Sequence, residues 1–462
     1  MTKRIVLTHE HNKPAAILRP RKSWLSILLK ALGLISLCAC VWIGWRMIDN
    51  QSQFQEWQAR LAAIADSGAP IDALGVRMLH ERRASKALTE EWLAIFDELT
   101  SLEFIESAES MPYLDHADVT NNRVPGPGQP WEIEDKARKL LTDTKAVRDS
   151  LRKLANKSHA VYFAMEYEGS DAGNTSIQLG YNQALNLIRF EAHMALRYNA
   201  AAAVLEDIRC FKGMSGLLDG DPSTMSLLLI SSAQRLAMEI VQEAVEINTF
   251  NETQLRELLE VLGSFSASTA RFRLALQGER GLHMSALAPK VSFGFLSGPF
   301  RGRLRMLELY ERLGSINVED GNAAMKVIDE TQAEIEQYGF VDQSSIDGLA
   351  LNSMIPLTAS GTVEVRNRMK QRLASLAVAI QLYRMKFGKL PSTTAAVAEI
   401  GVDPTTLVPI GGKPFGYRFS EQGDSARLWG FYIPSRRAYT PDVPPDITDP
   451  LSQEHGWVWN IK

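Results

Sequence analysis

Cysteine is scarce in this chain: three in 462 residues, at positions 38, 40 and 210. Two of the three fall inside an apolar run and the third stands alone, so no disulfide framework is available. The bulk of the chain must be held by a buried core, and it is long enough to form one or two. Motifs that announce chemistry are also missing. There is no His-Glu-x-x-His pair that would place two metal ligands on one helix face, no Gly-x-Ser-x-Gly elbow and no glycine-rich phosphate loop. After residue 46 no second apolar run is long enough to cross a bilayer.

What is present begins with Trp24 to Trp45, an apolar run of 22 residues that holds one charge, Lys30. As a helix it reaches roughly 33 Å, enough to cross a hydrocarbon core about 30 Å thick. A lone segment can satisfy its backbone in lipid only as a helix. Lys3, Arg4, Lys13, Arg19, Arg21 and Lys22 precede the run against a single acid, Glu10. The positive-inside rule therefore predicts a cytosolic N-terminus and an exported, periplasmic bulk, with residues 24–45 as an uncleaved signal-anchor in the inner membrane. A cleaved signal peptide is the competing reading, and Leu37-Cys38-Ala39-Cys40 faintly resembles a lipoprotein processing site at Cys40. The run nevertheless continues through Val41-Trp42-Ile43-Gly44-Trp45, past any such site. Trp42 and Trp45 suit an interfacial aromatic belt.

Residues 1–30 carry +6 of a net charge of −4, which leaves −10 for the remainder. An acidic exported part argues against nucleic acid as a partner. The expected partners are the bilayer itself and other envelope proteins.

From Gln51 to about Val365 helical periodicity dominates. Helices are predicted over 51–66, 88–102, 134–158, 176–215, 223–248, 252–277 and 302–338. Asn251 followed by Gln254 has the form of a capping box, and the turn Asp219-Gly220-Asp221-Pro222-Ser223 ends one helix and starts the next. The proline-rich stretch 104–133 is expected to be a long irregular connection. In the irregular stretch 288–299, Phe293 and Phe295 are expected to tuck into the core.

Near residue 361 the pattern changes. Met369, Leu373, Leu376, Ala377, Ile380, Tyr383 and Phe387 fall at steps of three and four, giving one helix with an apolar stripe that Gly388 ends. A short helix near 394–400 follows. Phe415, Tyr417 and Phe419 then alternate ahead of Arg427–Ile433, which predicts a β-hairpin, and Trp457, Trp459 and Ile461 alternate as a third strand. A long helix on a small antiparallel sheet is the expected arrangement. Its core is predicted to include Tyr383, Phe387, Leu390, Phe415, Tyr417 and Trp429.

The order ASLAVAIQLYRMKFGKLP, a variable helix, then GGKPFGYRF resembles the globular part of type II secretion major pseudopilins over about 70 of the 462 residues. Tyr383, Gly388, Leu390, Pro391, Gly412, Pro414 and Tyr417 occupy the places of that family's corner and hairpin start. The resemblance implies an assembly unit rather than a catalyst. This chain departs from the pattern in its anchor, which lies more than 300 residues upstream, and in Pro409-Ile410, which replace the aspartate before the hairpin glycine. Asp424, Asp442 and Asp446 are the oxygen ligands left for calcium. More broadly the chain resembles a group of bacterial single-pass membrane proteins ending in such a module. The segments that carry this likeness are Gly68-Ala69-Pro70-Ile71, MALRYNAAAAVLEDI, DGDPSTMSLLLISSAQRLAMEIV, LQGERG and RGRLRMLELY.

Several residues bear weighing as chemistry. Ser150 and Lys153 match the Ser-x-x-Lys spacing of a nucleophile one turn from an amine, but no Ser-Asp-Asn or Lys-Thr-Gly follows. Glu166, Glu168, Asp171 and Asn174 crowd oxygen ligands into a loop whose plainer role is a solvated helix cap. Arg301, Arg303 and Arg305 suit a phosphate or an acidic partner, or else are solvated or paired. His80, His116, His159, His193, His283 and His455 are scattered and are expected at the surface or in the core. No catalytic, cofactor-binding or metal-ligating residue is assigned, and no cofactor is expected. The fold class is mainly α, divided into a cytosolic tail (1–23), a membrane helix (24–45), an exported helical domain (46–360) and a pseudopilin-like α+β module (361–462). The function expected is a membrane-anchored extracytoplasmic binding or assembly scaffold. The alternative is a cell-envelope hydrolase whose site is built by distant helices.

Overall fold

The computed structural model describes residues 24–114, 123–157, 160–163, 175–265, 269–286, 300–339, 354–407, 415–420, 424–431 and 456–461. Helix α1, Trp24–Asp66, runs unbroken for 43 residues, about 64 Å at 1.5 Å per residue. The helix expected separately over 51–66 is its continuation. Over the apolar stretch its side chains stand exposed on every side, Trp24 by 82 %, Leu34 by 63 % and Val41 by 64 %. Among the described residues it is the one helix long and apolar enough to cross a membrane. Farther along one face turns inward: Trp57 is buried, with Leu61 and Ile64 packed beside the same core at steps of four and three.

The body is helical. Its elements are α2 (Ala73–Arg83), α3 (Lys86–Leu99), α4 (Leu102–Ala108), α5 (Glu134–Asp143), α6 (Lys145–Ala155), α7 (Thr175–Arg197), α8 (Ala201–Leu217), α9 (Thr224–Glu246), α10 (Glu252–Ser264), α11 (Thr269–Ala286), α12 (Phe300–Gly314), α13 (Gly321–Gly339) and α14 (Ile355–Phe387). Several expected helices are each two. The 176–215 helix breaks at Asn199, which takes a left-handed φ of +52° that asparagine tolerates better than most residues. The 302–338 helix breaks where the Asn317 side chain accepts the Glu319 amide at 3.2 Å, a local turn that competes with helix. The 104–133 stretch is a loop in part only, since α4 occupies its first residues. The Arg197 guanidinium satisfies three carbonyls of that loop, Pro125, Gly126 and Gln129, at 3.0, 2.9 and 2.6 Å. The capping box at Asn251 is present, with both bonds to Gln254 at 3.0 Å.

Two cores result. The larger gathers α3 to α10 with Leu373–Tyr383 of α14 and the sheet. The smaller gathers Trp57 of α1 with α11, α12, α13 and the first half of α14, through Leu357, Val365 and Met369. Helix α14 thus starts at Ile355, before the change seen near 361, with Pro356 in its first turn. It joins the two cores, and Ala374 through Leu382 are buried without interruption.

Gly388 ends α14 in the left-handed conformation, φ +68°, its N–H donating to the Arg384 carbonyl at 2.7 Å. Strands β1 (Gly416–Phe419), β2 (Ala426–Phe431) and β3 (Gly456–Ile461) form an antiparallel sheet in that order. Tyr417 pairs with Leu428, and Leu428 with Trp459. Gly416 is required beneath the Trp429 indole, where a Cβ would come within 1.9 Å of the ring. The outer edge of β3 is closed by α9: Gln242 Nε2 donates to the Val458 carbonyl at 2.9 Å and the Asn460 N–H donates to Glu246 Oε1 at 3.3 Å. Of the expected core residues here, Tyr383, Leu390, Phe415 and Trp429 are buried and Tyr417 is half-buried. Phe387 is exposed by 40 %, because as the last residue of α14 it lies against Tyr383, rings 4.5 Å apart, rather than under the sheet.

Candidate functional site

The residues singled out for chemistry do not converge. Ser150 and Lys153 both lie exposed on α6, where water solvates the amine and no base is held against the hydroxyl. Arg303 is buried with its guanidinium 6.0 Å from the Trp57 ring, and Arg305 pairs with Glu308 and Glu334, so these two are engaged in the fold. Asp424 accepts from Ser420 at 2.8 Å and Ser425 at 3.1 Å, a local turn whose hydrogen bonds hold its carboxyl below the usual range. The Glu166–Asn174 loop, His116, His159, His455, Gly412, Pro414, Asp442, Asp446, Phe293 and Phe295 lie outside the described residues. Among the described residues no three His, Cys, Asp or Glu side chains gather to hold a metal ion.

The polar groups that do converge sit at the turn between α8 and α9. It meets α2 and α11, bringing DGDPST, Pro70 and LQGERG together. Close approach explains the glycines. A Cβ on Gly278 would lie 1.7 Å from the Pro222 carbonyl oxygen, and one on Gly281 2.6 Å from Val76 and 3.4 Å from Pro70. Ser223 caps α9 by accepting the Ser226 amide at 3.2 Å and passes a hydroxyl bond to Ser226, which donates to Asp221 Oδ2 at 2.6 Å. Glu279 of α11 accepts the Thr224 amide at 2.9 Å and the Thr224 hydroxyl as well. Arg271 of α11 pairs with Asp219. Burial pushes the Asp221 carboxyl up against the charge of His80 and the two serine bonds, and pushes Asp219 up against Arg271. Burial also pushes His283 down, beside the buried Tyr310 hydroxyl that it meets. Chemically this is a fastening. The Ser226 hydroxyl donates to a carboxyl that burial keeps toward its uncharged form, a poor base, and Ser223, Ser226 and Asp221 are buried while Asp219 lies exposed at the edge of the group.

A second cluster lies between α7 and α9. His193 is 5 % exposed, with Nδ1 2.8 Å from Glu243 Oε2 and Nε2 without a partner. Tyr113 stacks on the imidazole, centroids 4.7 Å apart, and Arg189 lies 4.1 Å over the other aromatic ring and 3.2 Å from Glu239. Burial pushes the Glu243 carboxyl up, but the hydrogen bond and charge of His193, with Arg123 and Arg189, outweigh it and hold the group below the usual range. A third cluster is ionic: Glu191 takes both Arg148 and Arg152, and Arg152 reaches the fully buried Asp207 at 2.6 Å. Burial pushes Asp207 up to about 7 and the neighbouring Cys210 thiol out of reactive range.

Tyr113 and Asp207, and Glu364, a wholly buried carboxyl on α14, were missed by reasoning from the sequence. Asp207 was signalled, because it shares a helix face with Val204 and Phe211, so a charge stood on an apolar stripe. Set against protein-family models, curated proteins and solved structures, the chain matches none.

Proposed function

We propose that this chain is a membrane-anchored, extracytoplasmic scaffold that binds or assembles other proteins of the cell envelope. The observation that carries this reading is α1, which passes from an exposed apolar stretch into the smaller core without a break. Arg60 adds contacts to Glu308 and Glu311 of α12 at 3.6 and 3.9 Å. A body joined in this way is held at a fixed place against the bilayer, which is what a scaffold needs. The basic flank of the span favours export of the bulk. The C-terminal part supports the assembly side: at the corner that carries the pseudopilin resemblance, the Tyr417 hydroxyl donates to the Pro391 carbonyl at 3.0 Å. Cross-linking the full-length protein in cells and identifying what co-purifies tests the reading. Reproducible envelope partners that vanish when 361–462 is deleted, with abundance and export unchanged, are expected. Failure of a reporter fused after Lys462 to act outside the cytosol overturns the topology.

A second reading, an envelope hydrolase, has one observation in its favour. A carboxylate holds Nδ1 of His193 and leaves Nε2 free, as in a general base. The variant His193→Gln separates the two. If it abolishes the phenotype while leaving abundance, export and melting unchanged, the hydrolase is favoured; if it preserves the phenotype, the scaffold is.

A further inference from the structure

The seam between the two cores contains a carboxyl group with nothing to bind. Glu364 lies in the first third of α14, completely buried, and neither of its oxygens has a hydrogen-bond partner. Its helix is pressed close at this point: one turn earlier, a Cβ on Gly361 would sit 3.0 Å from Ile328 of α13 and 3.1 Å from Phe272 of α11. Phe272 adjoins Arg271, whose guanidinium is taken by Asp219 from the α8–α9 turn. Arg271 and Asp219 are the charged groups whose fields reach Glu364. From the other neighbours come Ser231 of α9, which accepts from Asn367 at 2.6 Å, and Gln332 of α13, bonded to Thr358. Farther along α14, Lys370 has Arg366 of its own helix and Arg235 and Glu239 of α9 as charged neighbours.

We propose that Glu364 is a proton-operated latch between the anchor-side core and the larger core. Uncharged, it lets α14 lie closed in the seam while Arg271 serves Asp219. Charged and without a partner at this depth, it must either draw Arg271 away from Asp219 or part the seam to admit water. Two carboxylates and one guanidinium then have two arrangements, and the seam is the bistable element that the proton biases. The step is a simple ionisation: the carboxyl proton leaves to solvent and no other bond changes.

Burial pushes the Glu364 carboxyl up to about 7, against the pull of Arg271. The folded protein therefore keeps a proton that the unfolded chain gives up near the ordinary value of 4.5. The stability this group contributes is full below that value and is lost as pH rises through about 7. Such a range matters for a body exposed to the medium outside the cytosol.

The experiment uses the full chain in lipid nanodiscs, with Cys38 and Cys40 replaced by serine and spin labels at Lys326→Cys on α13 and Glu260→Cys on α10, one on each core. The label-to-label distance is expected to shift between pH 5.5 and 8.5 with a midpoint near 7, and in the Glu364→Gln variant to stay at its acid value throughout. If the distance in the protein with native Glu364 does not change over that range, the latch is overturned without reliance on any variant at position 364. An equal shift in Glu364→Gln overturns it too, by assigning the transition to another group.

Discussion

The two cores that α14 joins handle charge in opposite ways. The larger core takes ions inside: Arg148 is 8 % exposed and Asp207 wholly buried, with Glu191 and Arg152 between them. The smaller core turns its ion pairs toward the rim: Arg305 and Arg312, 37 % and 34 % exposed, reach Glu334, and Arg368 and Arg372 share Glu319, 39 % exposed, at 3.1 and 2.7 Å. Buried ions add little net stability, but each becomes costly once its partner is gone. Rim pairs gain little because water screens them. The larger core is therefore intolerant of a missing partner, while the smaller core relies on apolar packing around Trp57, Tyr310 and Leu313.

The sharpest way to break the comparison is Glu191→Ala, which strips the buried Arg148 and the partly buried Arg152 of a shared carboxylate. A loss of about 3–5 kcal/mol is expected in chemical denaturation of the detergent-solubilised protein. A cost no larger than that of a rim pair would show that the two cores do not differ. Next comes Gly278→Ala, where the added methyl meets the Pro222 carbonyl. It should cost about 1–3 kcal/mol through overpacking, and a melting temperature equal to the parent's would show that the α8–α9 turn is not clamped by α11. The smallest effect belongs to Arg305→Ala, expected to cost about 0–1 kcal/mol. A larger loss in the same denaturation assay would move the smaller core into the class of the larger.

Legibility followed distance along the chain. The apolar run at Trp24, the Asn251 capping box, the Gly388 stop and the β1–β2 hairpin are local signals, written within a few residues of one another, and each has its structural counterpart. Helix breaks at Asn199 and Asn317 were hidden because asparagine is unremarkable in a helix unless its backbone turns left-handed or its side chain turns back on the main chain. The pairs His193–Glu243 and Arg148–Glu191 join helices whose neighbours are fixed only by tertiary packing, so no spacing could announce them. Glu364 was within reach: Leu357, Gly361 and Glu364 fall at steps of four and three, which sets an acid on the face that carries a core leucine. The fastening at the α8–α9 turn was half visible, since its segments were noticed one by one but nothing in their order placed them together.

The closure of the β3 edge by α9 has a consequence in time. Gln242 and the carbonyl it binds, Val458, lie 216 residues apart in the chain. When α9 leaves the ribosome, the strand it will cover has not yet been made, and closing so long a loop is slow and entropically costly. Through that interval Gln242 and Glu246 face no strand, and β2 has no partner on its β3 side. An unpaired strand edge is the feature on which chains aggregate. The sheet is thus completed long after the helix that covers it, and a chain delayed between β2 and β3 spends that delay with an unpaired strand edge open.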